Sequence, residues 1–384
     1  MTNLKQHVTQ ENLTVSMSNK RCCSRSGGVG YIDMIPVDLL VNNILSRLSV
    51  KSMGKCRCVS KLWSSIIRRP NYNLLFPRRI KSPDGLPKLL FAIKAENKLY
   101  YFSSPLKKSS LVATLLYTHT FTDLFRFCGS ICGLVCGQSR GKNYTVAVIS
   151  NPITGESVTT PKVKTTHDIE SKFYFGYDPV EKQYKVLGVT WSTEKEFSTQ
   201  HYVLMLETGN LSWRKIQCCN TYHPLIEDGV CIKGVLYYTA KNNKKTLEIV
   251  CFDVRSEKFS FVNVDPDLAT NICGIGSTLI DYKGRLGAMV HSFIELWVLE
   301  EAKEQKWSKK NYKFNPGSSY SVGVTGRGKI MFYPKYGREE RLHIFYYDRK
   351  RNYVEGIGIA GFEVGSERYE VYTFQNYVED VNLI

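Results

Sequence analysis

Pairs of strand-like segments return at a nearly constant interval through most of the chain, and this repeat limits the possible fold more than any other feature. In each pair, a strand of bulky or β-branched residues ends in an acidic or asparagine residue, and the next strand starts six positions later. From residue 151 to residue 348 the mean interval is about 49 residues, which predicts an array of small, similar sheets. The pairs are Asn151/Ser157, Glu207/Trp213, Asp253/Phe259, Glu301/Trp307 and Asp348/Val354.

A second hairpin, with a glycine in its turn, precedes most of these pairs. The glycine turns lie at 131–134, 232–235, 282–285 and 326–329. Each period therefore contains about four strands, which is typical of a kelch-like β-propeller blade. Five repeats cover roughly residues 125–360, and the hairpin at 89–102 can pair with the strand-like segment at 370–377 to form a sixth, split blade. A β-sandwich is the rival architecture, because the repeats are degenerate.

Residues 31–76 differ from the rest, because their apolar positions follow the period of an α-helix. Pro36 suits the first turn of a helix, Ser52 can cap a second one, and a third over residues 61–67 ends before Pro70. The apolar stripe of the first helix is Leu40, Ile44 and Leu48. Three helices in so short a segment make a very small core, so apolar surface stays exposed unless a partner covers it.

The sequence thus divides into four expected segments. Residues 1–30 are polar and form a disordered basic tail, and residues 31–76 form the helical module. A linker follows over 77–87, and the all-β domain occupies 88–384.

The chain has 384 residues and a formal net charge of +17, of which +11 falls within residues 1–81. Such a basic head predicts an acidic partner, and nucleic acid, anionic lipid and an acidic protein all qualify. The sequence has no apolar run long enough to span a bilayer and no secretory signal in its first 20 residues. We therefore expect its twelve cysteines to be reduced thiols in the cytosol or nucleus.

Three cysteines form the most suggestive cluster for chemistry, with three residues between each of Cys128, Cys132 and Cys136. No histidine lies between 119 and 167 to complete a metal site. Residues four apart share a face of a strand, so we interpret these thiols as small buried hydrophobes. Carboxylates at strand ends, such as Asp178 and Asp253, are interpreted as turn residues. We therefore expect no catalytic, cofactor-binding or metal-binding residues, although a catalytic pair assembled across blades stays open as an alternative.

Basic residues cluster at 51–61 and 68–81, which permits nucleic-acid binding as a second alternative. The first cluster interleaves with the apolar face of the helical module. A solvated rim around an apolar docking surface is therefore the interpretation that we favour, and a nucleic-acid partner is not expected.

The helical module resembles the F-box motif over about 40 residues. The matching segments are Ile35-Pro36-x-Asp38-Leu39-Leu40-x-x-x-Ile44-Leu45-x-Arg47-Leu48-x-Val50-Lys51-Ser52 and Arg57-Cys58-Val59-Ser60-Lys61-x-Trp63. The apolar, arginine and tryptophan positions agree with the motif in order and spacing. The sequence departs from the usual residues of the motif at Asn43, Ser49, Met53 and Cys56.

The remainder is similar to the plant F-box-associated domain, and with the F-box the resemblance covers about residues 31–365. The matching motifs occur in the order of that family. They are Ser130-x-x-Gly133-Leu134, Asn151-Pro152-x-Thr154-Gly155, Phe175-Gly176-Tyr177-Asp178-Pro179, Tyr184-Lys185-Val186, Trp213-Arg214, Gly234-Val235-Leu236-Tyr237, Phe252-Asp253, Glu257-Lys258-Phe259 and Leu296-Trp297-Val298-Leu299.

The resemblance implies a substrate-recognition subunit of a Skp–cullin–F-box ubiquitin ligase that performs no chemistry itself. The F-box would bind the acidic Skp-type adaptor and, through it, cullin, while the β domain would hold a target protein. An adaptor-independent binding propeller with a degenerate F-box is the alternative. Loops at 191–200 and 221–227 are exposed candidates for target recognition. The residues implied as adaptor contacts or module core are Ile35, Pro36, Leu39, Leu40, Ile44, Leu48, Val59 and Trp63.

Overall fold

The computed structural model describes most of the β domain and parts of the helical module. The tail expected over 1–30 and the linker expected over 77–87 lie outside the described residues. The structure describes residues 35–40, 44–45, 48, 52, 55–67, 88–105, 111–121, 124–152, 155–193, 199–206, 211–225, 228–272, 277–290, 295–301, 304–311, 320–324, 330–337, 342–348, 353–361 and 368–377.

The described strands form six sheets of four or five strands, which are the blades of a β-propeller. Blade 1 contains β1 (Lys88–Ala95), β2 (Lys98–Pro105), β4 (Thr114–Thr120), β25 (Tyr336–Gly337) and β28 (Tyr369–Tyr377). Blade 2 contains β5 (Leu124–Ile131), β6 (Leu134–Arg140), β7 (Tyr144–Ser150), β8 (Ser157–Thr159) and β9 (Val163–Lys164). Blade 3 contains β10 (Ile169–Asp178), β11 (Gln183–Ser192), β12 (Thr199–Met205) and β13 (Arg214–Ile216).

The second half of the ring repeats this plan. Blade 4 contains β14 (Tyr222–Pro224), β15 (Val230–Ile232), β16 (Val235–Asn242), β17 (Leu247–Asp253) and β18 (Phe259–Asn263). Blade 5 contains β19 (Ser277–Tyr282), β20 (Arg285–Val290), β21 (Glu295–Glu301) and β22 (Lys306–Asn311). Blade 6 contains β3 (Leu111–Val112), β23 (Tyr320–Val324), β24 (Ile330–Pro334), β26 (Leu342–Asp348) and β27 (Tyr353–Ala360). The six-bladed propeller expected from the repeat is confirmed, and the rival sandwich is wrong.

Two strand pairings close the ring. The C-terminal strand β28 pairs antiparallel with β1, with Phe374 opposite Leu90 and Val371 opposite Ile93. The short strand β3 pairs parallel with β27 of blade 6 through Leu111 and Val112. The split blade expected from the segments at 89–102 and 370–377 is therefore confirmed. The pairing of β3 with β27 is a second closing contact.

One strand of each blade lies nearest the axis, and these strands, β28, β5, β10, β15, β19 and β23, contact one another in turn. Buried apolar side chains fill the spaces between neighbouring blades, so each blade shares a core with both neighbours. One large buried residue from each of these cores, in order around the ring from the space between blades 1 and 2, is Phe127, Phe173, Tyr238, Trp297, Phe332 and Phe91.

The repeated turns have repeated hydrogen bonds. Asn151 and Asp253 each donate from the backbone N–H to the carbonyl five residues later, at 2.8 and 3.0 Å, and accept from the N–H four residues later. That pattern explains the spacing of six between paired strands. In the glycine turns two successive residues have positive φ, as a type I′ hairpin turn requires. These are Cys132/Gly133, Lys233/Gly234 and Lys283/Gly284.

The turns of a blade alternate between two faces of the ring, because consecutive strands are antiparallel. We name as the proximal face the one where β1 begins, which carries the turns at 131–134, 151–156, 178–183 and 253–259. The opposite, distal face carries the connections that follow β6 and β11 and those that lead into β5 and β10.

The helical module contains α1 (Val37–Leu39) and α2 (Lys61–Ile67). Ser52, Lys55 and Cys56 also have helical backbone, where the second helix is expected, and residues 53–54 lie outside the described set. A separate helix, α3 (Pro266–Ile272), connects blades 4 and 5. Within the described part of the chain the longest helices have seven residues, and none could cross a bilayer.

Candidate protein-interaction sites

A small apolar core organises the helical module. Buried Leu40 and Leu45 pack against Trp63, Ile66 and Ile67 of α2. The three α2 residues recur at helical spacing and so share one face. The N-terminus of α2 is capped by the Ser60 hydroxyl oxygen, which accepts a hydrogen bond of 3.2 Å from the backbone N–H of Trp63.

The structure separates the eight predicted adaptor residues into three groups. Leu40 and Trp63 are buried in the module core. Ile35, Ile44 and Leu48 are partly buried and pack against that core. The exposed group is Pro36, Leu39 and Val59.

Among the described residues of the module, three aliphatic side chains are exposed. The exposed fractions are 50% for Leu39, 46% for Val59 and 37% for Val37. Val37 is not among the adaptor-binding candidates predicted from the sequence, although its position directly after Pro36 places it in the first turn of the expected helix. Lys55 and Lys61 are exposed at the edges of the same module. An apolar surface with basic residues beside it suits an acidic protein partner.

An ion pair joins the helical module to the propeller. Arg57, which is 8% exposed, donates to the carboxylate of Glu156 in the turn between β7 and β8. That turn lies on the proximal face, as does the start of β1. The helical module therefore contacts the proximal face, and the distal face lies on the other side of the ring.

A pocket of about 110 Å³ opens at the distal ends of strands from blades 2 and 3. We call it the distal pocket. Both loops suggested by sequence reach it, because Trp191 lies at the end of β11, one residue before Ser192, and Leu225 follows β14. The remaining parts of those loops at 194–198 and 226–227 lie outside the described residues. The lining residues are Leu124, Arg126, Phe127, Cys128, Gln138, Arg140, Glu170, Ser171, Lys172, Trp191 and Leu225.

Two of the three cations in the distal pocket form ion pairs. Arg140 lies 2.5 Å from Glu170, and Lys172 lies 2.9 Å from Asp228. Arg126 is exposed and makes no ion pair within the described part of the chain. Sequence reasoning missed this site, because its residues come from several separate segments and no local pattern connects them.

The cysteines and carboxylates singled out by sequence lie in structural positions. Cys128 and Cys136 are buried together between blades 2 and 3, whereas Cys132 lies in the β5–β6 turn. A hydrogen bond with Cys128, together with burial, raises the pKa of the Cys136 thiol well above its ordinary value. Among the described residues no three His, Cys, Asp or Glu side chains are placed to hold a metal ion.

The buried carboxylate of Asp178 connects two blades. It accepts hydrogen bonds from Arg255 of the neighbouring blade at 3.1 to 3.3 Å and from the N–H of Val180 at 2.9 Å. Burial acts to raise the pKa of Asp178, but these hydrogen bonds hold it below the usual value. The group therefore remains an anion that stabilises the contact between blades.

Comparison with known proteins agrees with this architecture. Residues 32–75 match the F-box domain family, and residues 88–378 match the F-box associated beta propeller domain family. Two putative F-box proteins of Arabidopsis thaliana are 43% and 45% identical to the chain, over 99% and 100% of both sequences. The F-box protein DOR of the same plant is 38% identical, over 91% of this chain and 94% of its own.

Solved structures with related geometry share little sequence with the chain. A chain in a crystal structure of a nidogen/laminin complex is 10% identical, covers 74% of this chain and 98% of its own, and gives a TM-score of 0.43. The two family matches and the full-length relatives are the findings that establish membership. The chain belongs to the family of plant F-box proteins that carry an F-box-associated β-propeller domain.

Proposed function

We propose that the chain is the substrate-recognition subunit of a Skp–cullin–F-box ubiquitin ligase. Its F-box would bind a Skp-type adaptor and, through it, a cullin, while the propeller would bind the protein to be ubiquitinated. On this proposal the chain is not an enzyme. It accelerates ubiquitin transfer by holding a target at high effective concentration near the conjugating machinery. We place this activity in the cytosol, the nucleus or both, where reduced thiols persist.

The observation that carries the proposal is the exposed apolar surface of Val37, Leu39 and Val59. These side chains extend from a short module in which five of the described residues are buried, and a module of this length has little interior in which to bury more. A partner that covered these side chains would remove their remaining exposed area from water, and each would contribute about 1 kcal/mol, because half or more of each side chain is already buried.

The separation of the two faces is a second support. The module contacts the proximal face through Arg57 and Glu156, and the distal pocket opens on the other face. An adaptor and a target could therefore bind at the same time. Loops on a rigid ring can also vary between proteins without disturbing the shared cores between blades.

The test is co-expression of the full chain with a Skp-type adaptor, followed by size exclusion. The variant is Leu39→Asp combined with Val59→Asp, because both positions are exposed and charges there leave the core intact. A change at Leu40 is unsuitable, since Leu40 is fully buried and a charge would unfold the module.

We expect a one-to-one complex with the wild-type chain and none with the double variant. Leu115→Asp is the matched control, because Leu115 is 49% exposed on β4 of the propeller and should leave adaptor binding unchanged. A well-folded wild-type chain that ignores the adaptor would refute the proposal, and so would a double variant that binds as well as the wild type.

A further inference from the structure

We propose that the distal pocket accepts one carboxylate side chain, from a glutamate or aspartate of the bound protein, beside Arg126 and Ser171. This inference rests on the proposed function for the identity of its partner, since the carboxylate is taken to belong to a target. The pocket itself is a feature of the propeller and is independent of the F-box.

The first support is a buried hydroxyl group without a partner. Ser171 is 6% exposed and lines the distal pocket, and its Oγ makes no hydrogen bond to any residue that the structure describes. A buried hydroxyl without a partner is unfavourable, because it has lost its hydrogen bonds to water. A carboxylate oxygen in the pocket would accept a hydrogen bond from this hydroxyl and remove that cost.

The second support is the charge around the pocket. Glu170 balances Arg140, and Asp228 balances Lys172, so Arg126 supplies the one cation of the lining that has no ion pair among the described residues. One unbalanced positive charge matches a group with a single negative charge. A phosphate dianion would meet the same single cation together with the two neighbouring carboxylates, which would repel it.

Gln138 connects the strand that carries Arg126 with the strand that carries Ser171. Gln138 lies directly opposite Arg126 in the pairing of β5 with β6. Its amide Nε2 donates to the backbone oxygen of Ser171 at 3.0 Å, and its Oε1 accepts from the N–H of Phe173 at 3.0 Å. These two bonds fix blade 3 against blade 2, so the strand positions that carry Arg126 and Ser171 keep a constant relation to each other.

Apolar residues in the lining suit a side chain rather than a free ion. Leu124, which is 54% exposed, lines the pocket together with Trp191 and Leu225. The methylene groups of a glutamate, or an apolar neighbour in its peptide, would contact these residues. The volume of about 110 Å³ is sufficient for a small acidic group and too small for a folded element.

The experiment uses the purified full-length chain and four immobilised pools of nonapeptides. The central residue of the pools is glutamate, glutamine, phosphoserine or lysine, and all other positions are degenerate. We expect the glutamate pool to retain about fivefold more wild-type chain than the glutamine pool, because a charge-assisted hydrogen bond is lost in the neutral amide. The preference should weaken as salt is raised.

Three variants locate the effect. Arg126→Gln should abolish the preference for glutamate over glutamine, and Arg126→Glu should transfer it to the lysine pool. Ser171→Ala should reduce it by a smaller factor, since the arginine charge remains. Lys142→Gln is the matched control, because Lys142 is exposed in the β6–β7 turn of the same face and does not line the pocket.

Equal retention of the glutamate and glutamine pools by the wild-type chain would overturn the inference. The same holds if the preference survives Arg126→Gln, or if the phosphoserine pool binds more strongly than the glutamate pool. Adaptor co-purification of the same preparations separates the two proposals. If adaptor binding is lost and the glutamate preference is intact, the ligase role alone is refuted. If adaptor binding is intact and the glutamate preference is absent, the pocket assignment alone is refuted.

Discussion

His201 is buried between blades 3 and 4 with its ring in a network of hydroxyl groups. Its Nε2 lies 2.6 Å from the hydroxyl of Tyr222, which in turn bonds the hydroxyl of Tyr238. The ring of Phe259 packs edge-on against it at 5.0 Å. Burial lowers the pKa of His201 to about 4, so the neutral imidazole is the form that the fold accepts.

This lowered pKa makes the stability of the propeller depend on pH. Below its ordinary pKa of about 6.5 the unfolded chain takes up a proton that the folded chain refuses until pH 4. The unfolded state therefore binds more protons in this range, and stability is lost as the pH falls from 6.5 towards 4. Between pH 7.5 and pH 5, we expect His201 to reduce the free energy of unfolding by about 2 kcal/mol.

The measurement is urea unfolding of the wild type and of His201→Gln at both pH values. Carboxylates contribute equally to the pH dependence of both proteins, so the difference between the two proteins gives the contribution of His201. The variant should show a flatter pH dependence. His343→Gln, at an exposed histidine on β26, serves as the control and should behave as the wild type does. Identical slopes for wild type and His201→Gln would contradict the prediction.

At the scale of elements, the outer strands of two blades are joined to the preceding blade by tryptophans. Trp213, just before β13, donates from Nε1 to the carbonyl of Pro161 at 2.8 Å. Trp307 on β22 donates to the carbonyl of Asn263, at the end of β18, at 3.1 Å. The two residues occupy equivalent places in blades 3 and 5, so the repeat includes a contact between blades as well as a strand.

Replacing either tryptophan with phenylalanine keeps most of the ring packing and removes the hydrogen bond. We expect Trp213→Phe and Trp307→Phe each to cost about 1 kcal/mol of unfolding free energy. The two contacts share no residue, so the double variant should cost the sum to within about 0.5 kcal/mol. Equilibrium unfolding in urea measures all three proteins. A double variant no less stable than either single one would show that the contacts are not independent.

The sequence predicts the elements of the ring better than it predicts their contacts. Spacing places Trp213 and Trp307 at the start of strands, because that information is local. It cannot identify Pro161 or Asn263 as the acceptors, since those depend on how one blade packs on the next. The apolar stripe of the F-box could be recognised in the same way, but burial of Leu40 and exposure of Leu39 are decided by packing against α2.

The distal pocket lay beyond prediction for the same reason. Arg126 and Ser171 are far apart in the chain, and Gln138 connects them only after two blades have packed together. The fold class, the six blades and the closing strand could be deduced, because a constant interval with two loose ends implies a ring. A site assembled across blades has no such regular signature.

At the scale of the molecule, the ion pair between Arg57 and Glu156 couples the F-box to the ring. Arg57 is almost completely buried, whereas the side chain of Glu156 is 41% exposed. A double-mutant cycle with Arg57→Met and Glu156→Gln, followed by urea unfolding, should give a coupling energy of about 1 kcal/mol. A coupling energy of zero would mean that this ion pair does not stabilise the contact between the module and the ring.

The closing strand β28 follows all the other described strands in the chain, yet it lies nearest the axis in the first blade. Tyr369, Val371 and Phe374 are buried in the cores on both sides of that blade. A nonsense codon just before 369 would leave those cores open to water, and the product should accumulate as aggregate. A stop codon after 378 keeps β28 and should yield soluble protein. The measurement is the amount of soluble protein obtained when the two truncated reading frames are expressed. A mutation that removes β28 alone should thus equal a null allele.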